Sequence, residues 1–294
     1  MRDRTRHHVE ALQDTICAVL ERLDGAATFR EELWTRDAGG GGRTRVLEGG
    51  DVFEKAGVNT SCVFGVVPAA LESEMPGEAP EFYATGVSLV LHPVNPHVPT
   101  VHANYRYIER GKVSWFGGGA DLTPYVLYPE DAQHFHRVHA EVCDRTDPAY
   151  YPRFKRWCDE YFRNHHRGEA RGIGGVFFDH VRVDTTEDQD RLFQWWSDMG
   201  ETFVPAYEPI VERRMGLEYD DELRQWQLQR RGRYVEFNLI HDRGTAFGLK
   251  TGGRIESILM SLPPLVRWDH VVGVDPESPE ARLLEVLKHP REWR

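Results

Sequence analysis

The hydrophobic and polar positions of this chain follow two periods, and the switches between them mark out most of its elements. Val9, Leu12, Ile16, Val19 and Leu23 recur every three or four residues, which predicts an amphipathic N-terminal helix. Period-two alternation then predicts strands over residues 61–67, 82–91, 100–109 and 112–116. Helical spacing returns from Pro129 to about Cys143, and again from Pro152 to about Gly168, where Phe154, Trp157, Tyr161 and Phe162 form the buried stripe. A buried strand is expected over 173–179. Helical segments follow over about 187–215, interrupted near Pro205 and Pro209, and a short helix over 279–288 closes the chain. The glycine-rich stretch 39–50 reads as a loop, the most disorder-prone part of the sequence.

The segment from Arg231 to Pro263 has the sharpest local pattern. Val235, Phe237 and Leu239 alternate with Tyr234, Glu236, Asn238 and Ile240. Asp242-Arg243-Gly244 has turn chemistry, and residues 246–249 read as a returning strand, so a hairpin with Asp242 at its tip is predicted. Gly252-Gly253-Arg254 then opens a helix carrying Ile255, Ile258, Leu259 and Leu262, which Pro263-Pro264 ends. Free N–H groups at a helix start, the bare backbone of glycine and the Arg254 fork together predict a carboxylate cradle facing the acidic turn. Strands in runs with short links favour an α+β fold: a largely antiparallel sheet with helices packed on it, residues 1–294 forming a single domain.

Period two also sorts side chains. His102, Asn104 and Arg106 share one face of their strand, while Val101, Ala103, Tyr105 and Tyr107 share the other. Ser88 and His92 have matching parity on the preceding strand. If the two pair, Ser88, His92, His102 and Arg106 converge, although an ordinary solvated face has the same pattern. Gly117-Gly118-Gly119 before Asp121 reads as a turn, pressed against a flat ligand or simply tight. None of the glycine clusters ends in the lysine and hydroxyl of a phosphate loop. The histidines fit no compact metal motif, and a set of His92, His102, His136 and His166 needs tertiary convergence.

Charge narrows the partners. A net charge of −11 with 28% charged residues describes a soluble protein that repels nucleic acid and anionic membranes. The longest uncharged run, 58–71, is too short to span a bilayer and contains Pro68, and the first twenty residues are no secretory signal. Cys17, Cys62, Cys143 and Cys158 form no C-x-x-C pair, which excludes a zinc knuckle or clustered iron–sulfur motif and makes a reduced, cytoplasmic compartment the expectation.

Taken in order, GVSLVLHPVNPHVPTVHANYR, WFGGGADLTPY, DAQHFHR, RGIGGVFFD and RGRYVEFNLIHDRGTAFGLKTGGRIESILMSLPPLVRW resemble the oxygen-dependent coproporphyrinogen-III oxidases of haem biosynthesis, from about Val52 to Trp268. The resemblance implies a flat antiparallel sheet of about seven strands between helices, and a homodimer. The strand candidates number seven if both hairpin arms count. It implies conversion of coproporphyrinogen III to protoporphyrinogen IX, two propionates becoming vinyl groups with loss of carbon dioxide and O2 as oxidant. It further implies that His102 is the proton donor, and that Ser88, Asn104-Tyr105-Arg106 and Gly252-Gly253-Arg254 bind substrate. Tyr105 would do so through its backbone. Asp242 would hold the pyrrole N–H groups, and His92, His102, His136 and His166 would be the ligands of a divalent metal cation. No flavin, haem or nicotinamide is implied. One local departure is His241, where the family has an aromatic residue. Two other readings fit the residues: a metal-dependent oxygenase of another carboxylated aromatic, and a non-catalytic tetrapyrrole carrier.

Overall fold

A computed structural model describes residues 1–68, 72, 75–182, 185–250, 253–270 and 273–294. Seven antiparallel strands form one sheet in the order β1 (Arg30–Thr35), β2 (Gly40–Glu48), β3 (Phe53–Val66), β4 (Glu81–Pro93), β5 (Thr100–Arg110), β6 (Val113–Thr123) and β9 (Gly175–Val181). A two-stranded ladder, β7 (Arg163–Asn164) with β8 (Glu169–Ala170), stands apart from it. From β1 to β6 each strand pairs with its sequence neighbour, and the register is set by hydrophobic alternation.

The apolar face of the sheet carries Val87, Leu89 and Leu91 on β4 and Val101, Ala103, Tyr105 and Tyr107 on β5, all buried. Four helices cover it: α1 (Arg2–Asp24), α2 (Pro129–Thr146), α4 (Thr186–Glu201) and α5 (Phe203–Arg214). Their stripes contribute Ile16, Leu20, Phe135, Trp196, Met199, Phe203 and Ile210, each worth about 1.5–3 kcal/mol on burial. Helix α3 (Tyr150–Tyr161) closes the β9 edge from both sides. Phe154 packs on Phe178 and Trp195 in this core, while Tyr161 stacks on Phe177 of the opposite face at 4.4 Å. An edge covered in this way cannot template further strands.

The second face is polar and lies under α6 (Asp221–Glu236), a π turn (Phe237–His241), α7 (Arg243–Lys250) and α8 (Ile255–Leu259). Helices therefore flank the sheet on both faces, as expected. Helix α9 (Pro279–Lys288) begins at the predicted proline, with Ser278 as its cap, and sends Leu283, Val286 and Leu287 into the main core.

Several expectations are overturned. The predicted hairpin over 234–249 is helical: α6 runs on from the Asp220 cap through the π turn, and residues 246–249 lie in α7. The buried positions Trp226, Arg230, Tyr234 and Asn238 do follow helical spacing, with Gln227, Arg231 and Val235 beside them. So much of this stripe is polar that hydropathy hid it. The glycine-rich loop is strand β2, paired to β1, which the sequence did not announce. Its glycines admit a close neighbour: a Cβ on Gly42 would lie 2.3 Å from the Trp34 ring. Gly117 to Gly119 are not a turn either but the middle of β6. Seven strands stand in the sheet, with β1 and β2 in place of the hairpin arms. Helices α4 and α5 break once, at Thr202, and Pro209 is accommodated within α5.

Candidate active site

Cross-strand partners in an antiparallel sheet point to the same side, so the register assembles the polar face row by row. One row runs Glu32, Thr44, Asn59, Ser88, Asn104, Gly119, Phe177 across all seven strands. Its neighbours run Gly57, Val90, His102, Asp121, Gly175 on one side and Gly42, Ser61, Gly86, Arg106, Gly117 on the other. Six glycines on one face keep it flat. Gly117 is required by contact: a Cβ there would sit 2.7 Å from Asp179 Oδ1 and 2.9 Å from Arg106 Cζ.

His102 is the best-placed acid–base group on this face. Its Nδ1 lies 2.8 Å from Asp121 Oδ1, and its side chain is 19% exposed. An Nδ1–H donated to Asp121 leaves Nε2 as the atom that exchanges a proton with a ligand. Burial works to raise the Asp121 pKa, but Arg171 and His102 outweigh it and hold the carboxyl below its ordinary value. Arg171 Nη2 donates to both Asp121 oxygens at 2.9 and 2.8 Å, and Nη1 donates to Asn238 Oδ1 at 2.9 Å. Phe162, Tyr234 and Phe237 surround the guanidinium at 4.2, 4.6 and 4.8 Å. Three of these partners come from α6 and the π turn. The elements misread as a hairpin thus secure the cation beneath the catalytic candidate, at the kind of site where π turns recur.

Asp242 lies close to this cluster. Phe162 touches His102 at 5.6 Å and Tyr161 at 4.8 Å, and the Tyr161 hydroxyl donates to Asp242 Oδ1 at 2.9 Å. Asp242 Oδ2 accepts the Thr245 N–H at 2.8 Å and its hydroxyl at 2.7 Å, so Asp242 caps α7 and does not tip a hairpin. Burial pushes its pKa up, yet Thr245, Tyr161 and Arg171 prevail and keep it below the usual range. Among the described residues Oδ2 accepts two hydrogen bonds and Oδ1 one.

The remaining candidates divide. Ser88, Asn104 and Arg106 share the polar face with His102 as predicted, and Tyr105 is buried in the core on the other face. Arg106 is already paired, Nη2 to Asp179 Oδ2 at 2.6 Å and Nη1 to Asn104 Oδ1 at 2.8 Å. The anion cradle is corrected. Helix α8 has five residues, Gly253 spends its N–H on Gly248 O at 2.8 Å, and Gly252 lies outside the described residues. Arg254 pairs with Glu32 at 2.6 Å, which places it over the first strand of the Asn104 row, and its Nη1 has no partner among the described residues.

The four histidines expected to share a metal are not brought together. His92 is buried between Thr100 Oγ1 and Ser261 O, and burial, then Arg231, depress its pKa. His136 is buried between Tyr151 Oη and Ile173 O, and burial pushes it down to about 3. His166 bridges Glu236 and His241 at 2.8 and 2.9 Å. Both nitrogens of all three are engaged elsewhere than His102, so the set does not fit one cation. Among the described residues no three His, Cys, Asp or Glu side chains are grouped to hold a metal. Sequence reasoning missed Arg171, Asp179 and Tyr161, and it read Asp121 only as part of a turn. RGIGG and GGGAD put charges beside glycine runs, a weak signal of buried charge where backbones crowd.

A histidine held by a buried carboxylate on a broad polar sheet face has the geometry of an acid–base site. A family model described as coproporphyrinogen III oxidase matches residues 4–293. An oxygen-dependent coproporphyrinogen-III oxidase of Parasynechococcus marenigrum is 51% identical, covering 99% of this chain and 87% of its own. The chloroplastic enzyme of Glycine max is 47% identical over 100% of this chain and 80% of its own, and coproporphyrinogen-III oxidase 1 of Arabidopsis thaliana is 47% identical over 100% and 79%. The chain belongs to the coproporphyrinogen III oxidase family.

Proposed function

We infer that this protein catalyses the aerobic oxidative decarboxylation of coproporphyrinogen III to protoporphyrinogen IX in haem biosynthesis, converting two propionates to vinyl groups and releasing carbon dioxide, with O2 as co-substrate. One observation supports the reading beyond kinship: His102, held by Asp121, stands on the same sheet face as Glu32, the partner of Arg254, and Tyr161 and Phe162 link it to Asp242. From the Arg254–Glu32 pair on β1 to Asn104 on β5 is four inter-strand steps, roughly 19 Å. A ligand touching both ends must be broad, with acidic groups at its rim, as a tetrapyrrole with propionate side chains is.

In this reading the Arg254 guanidinium, whose Nη1 has no partner among the described residues, receives a propionate, and Arg106 and Asn104 order the near rim. Asp242 accepts a pyrrole N–H. His102 exchanges a proton at Nε2 while Asp121 holds the ring. Each propionate that loses CO2 and a β-hydrogen as a proton releases two electrons, which pass through the electron-rich pyrrole and reduce one O2 to hydrogen peroxide, so flavin, haem and nicotinamide have no part to play. The separate settings of His92, His136 and His166 support a reaction in which these histidines do not share a divalent cation with His102. Incubation with coproporphyrinogen III should give vinyl product in air and none without O2, and it should do so equally in chelator. Oxygen-independent turnover would remove the assignment; loss in chelator would return a metal to the site.

The protein works as a homodimer in the cytoplasm on this reading. Leu239, Ile240, Leu249, Ile255, Leu265 and Trp268 are exposed within one thirty-residue stretch, the kind of surface that a second copy covers. Light scattering should give twice the chain mass; a monomer at every concentration would remove the dimer. No helix among the described residues is long and apolar enough to cross a membrane.

A further inference from the structure

A second polar site lies away from the sheet face, between α6, the β7–β8 ladder and the C-terminal segment. Arg167, Glu169, Gln229, Arg230 and Arg233, with the apolar Trp226, Val274 and Leu284, line a cleft of about 150 Å³. A single water needs only about 10–15 Å³ of such space, so the cleft has room for a small molecule.

We propose that this cleft binds a small oxyanion, a carboxylate or phosphate, that also offers a hydrogen-bond donor. Charge supplies the first reason. Arg167 and Arg233 both pair with Glu236, and Arg230 pairs with Glu169 at 2.9 Å. Three guanidiniums therefore share two carboxylates, a local positive surplus in a chain of net charge −11. Water can satisfy hydrogen bonds there but cannot neutralise the surplus.

Two orphaned atoms supply the second reason. Arg230 is 5% exposed, and its Nη2 has no hydrogen-bond partner among the described residues. Gln229 donates from Nε2 to Asp269 Oδ2 at 2.6 Å, yet its buried Oε1 has no donor among them. Both residues line the cleft, one lacking an acceptor and the other a donor. A ligand with an anionic oxygen and an O–H or N–H satisfies both. Burial lowers the Arg230 pKa in spite of Glu169, with Arg233 adding to the effect, so an added anion is favoured. Trp226 lies 5.6 Å from the Arg230 guanidinium, and Val274 and Leu284 complete an apolar wall that suits the body of a small organic acid.

Calorimetric titration of the full chain tests this with inorganic phosphate, lactate (a carboxylate with a hydroxyl) and acetate (a carboxylate without one). We expect saturable binding of phosphate or lactate with a Kd of about 1 mM or tighter, and weaker binding of acetate. Phosphate above lactate identifies a phosphate site; the reverse identifies an organic acid site. Arg230→Lys keeps the charge opposite Glu169 but removes the fork, and should weaken binding about tenfold or more. Val274→Trp fills the cleft without touching an ion pair and should do the same, so it decides the matter if Arg230→Lys misfolds. No saturable binding of either ligand, or binding unchanged in Val274→Trp, overturns the proposal. Neither result bears on turnover at the sheet face.

Discussion

Asp121→Asn is expected to lose turnover and stability together. Arg171 is buried, and Asp121 is its charge partner. Removing that charge leaves a buried guanidinium without a paired counter-ion, facing only neutral groups, a loss on the order of 3–5 kcal/mol. The same change removes the negative charge that orients the His102 ring and favours its protonated form, and the amide can present its NH2 in place of the acceptor, so kcat should fall about a hundred- to ten-thousandfold. Urea unfolding and steady-state kinetics read the two losses separately. The double variant Asp121→Leu/Arg171→Met should regain much of the stability, because no unpaired charge remains, and none of the turnover. A single variant with wild-type urea midpoint and rate would show that the buried pair neither holds the fold nor serves the histidine.

Asp242→Asn should separate chemistry from capping. Asparagine still accepts the Thr245 N–H, so α7 keeps its cap and stability should change by no more than about 1 kcal/mol. The carboxylate charge proposed to accept the pyrrole N–H is gone, and kcat should fall about a hundredfold or more. Asp242→Ala is the poorer probe, since it removes cap and charge together. The Asp242 pKa lies below the usual carboxylate range, so the group stays ionised as pH falls from neutrality to about 4.5 and should place no inflection in the rate profile there. Near-normal rates in Asp242→Asn would reduce this residue to a helix cap.

These effects rest on features that the sequence disclosed unevenly. Strands β4 and β5 were legible because one face is apolar and the other is not, and the alternation that gave the strand also gave the shared face of Ser88, His102, Asn104 and Arg106. Helix α9 was legible to its first residue, since Pro279 and its cap follow simple helix-start rules. Helix α6 was not, because Gln227, Arg230, Arg231 and Asn238 occupy its buried side, where a hydropathy pattern needs apolar residues. Strand β2 was hidden by glycines that its neighbours require, and the same holds for Gly117 to Gly119 in β6. Of the candidate site, His102 and Asp242 were visible as residues but their supports were not. Asp121 and Arg171 are 50 positions apart, and no local pattern foretells their pairing.

The most direct measurement is a crystal structure with coproporphyrin III, the aromatic counterpart of the substrate, which keeps the carboxylates but cannot be oxidised in the same way. The macrocycle should lie flat over Gly117 and Gly119, with a pyrrole nitrogen at Asp242, its rim beside His102 and a carboxylate on Arg254. A macrocycle bound anywhere else, with the His102 face left to the solvent, would contradict the account.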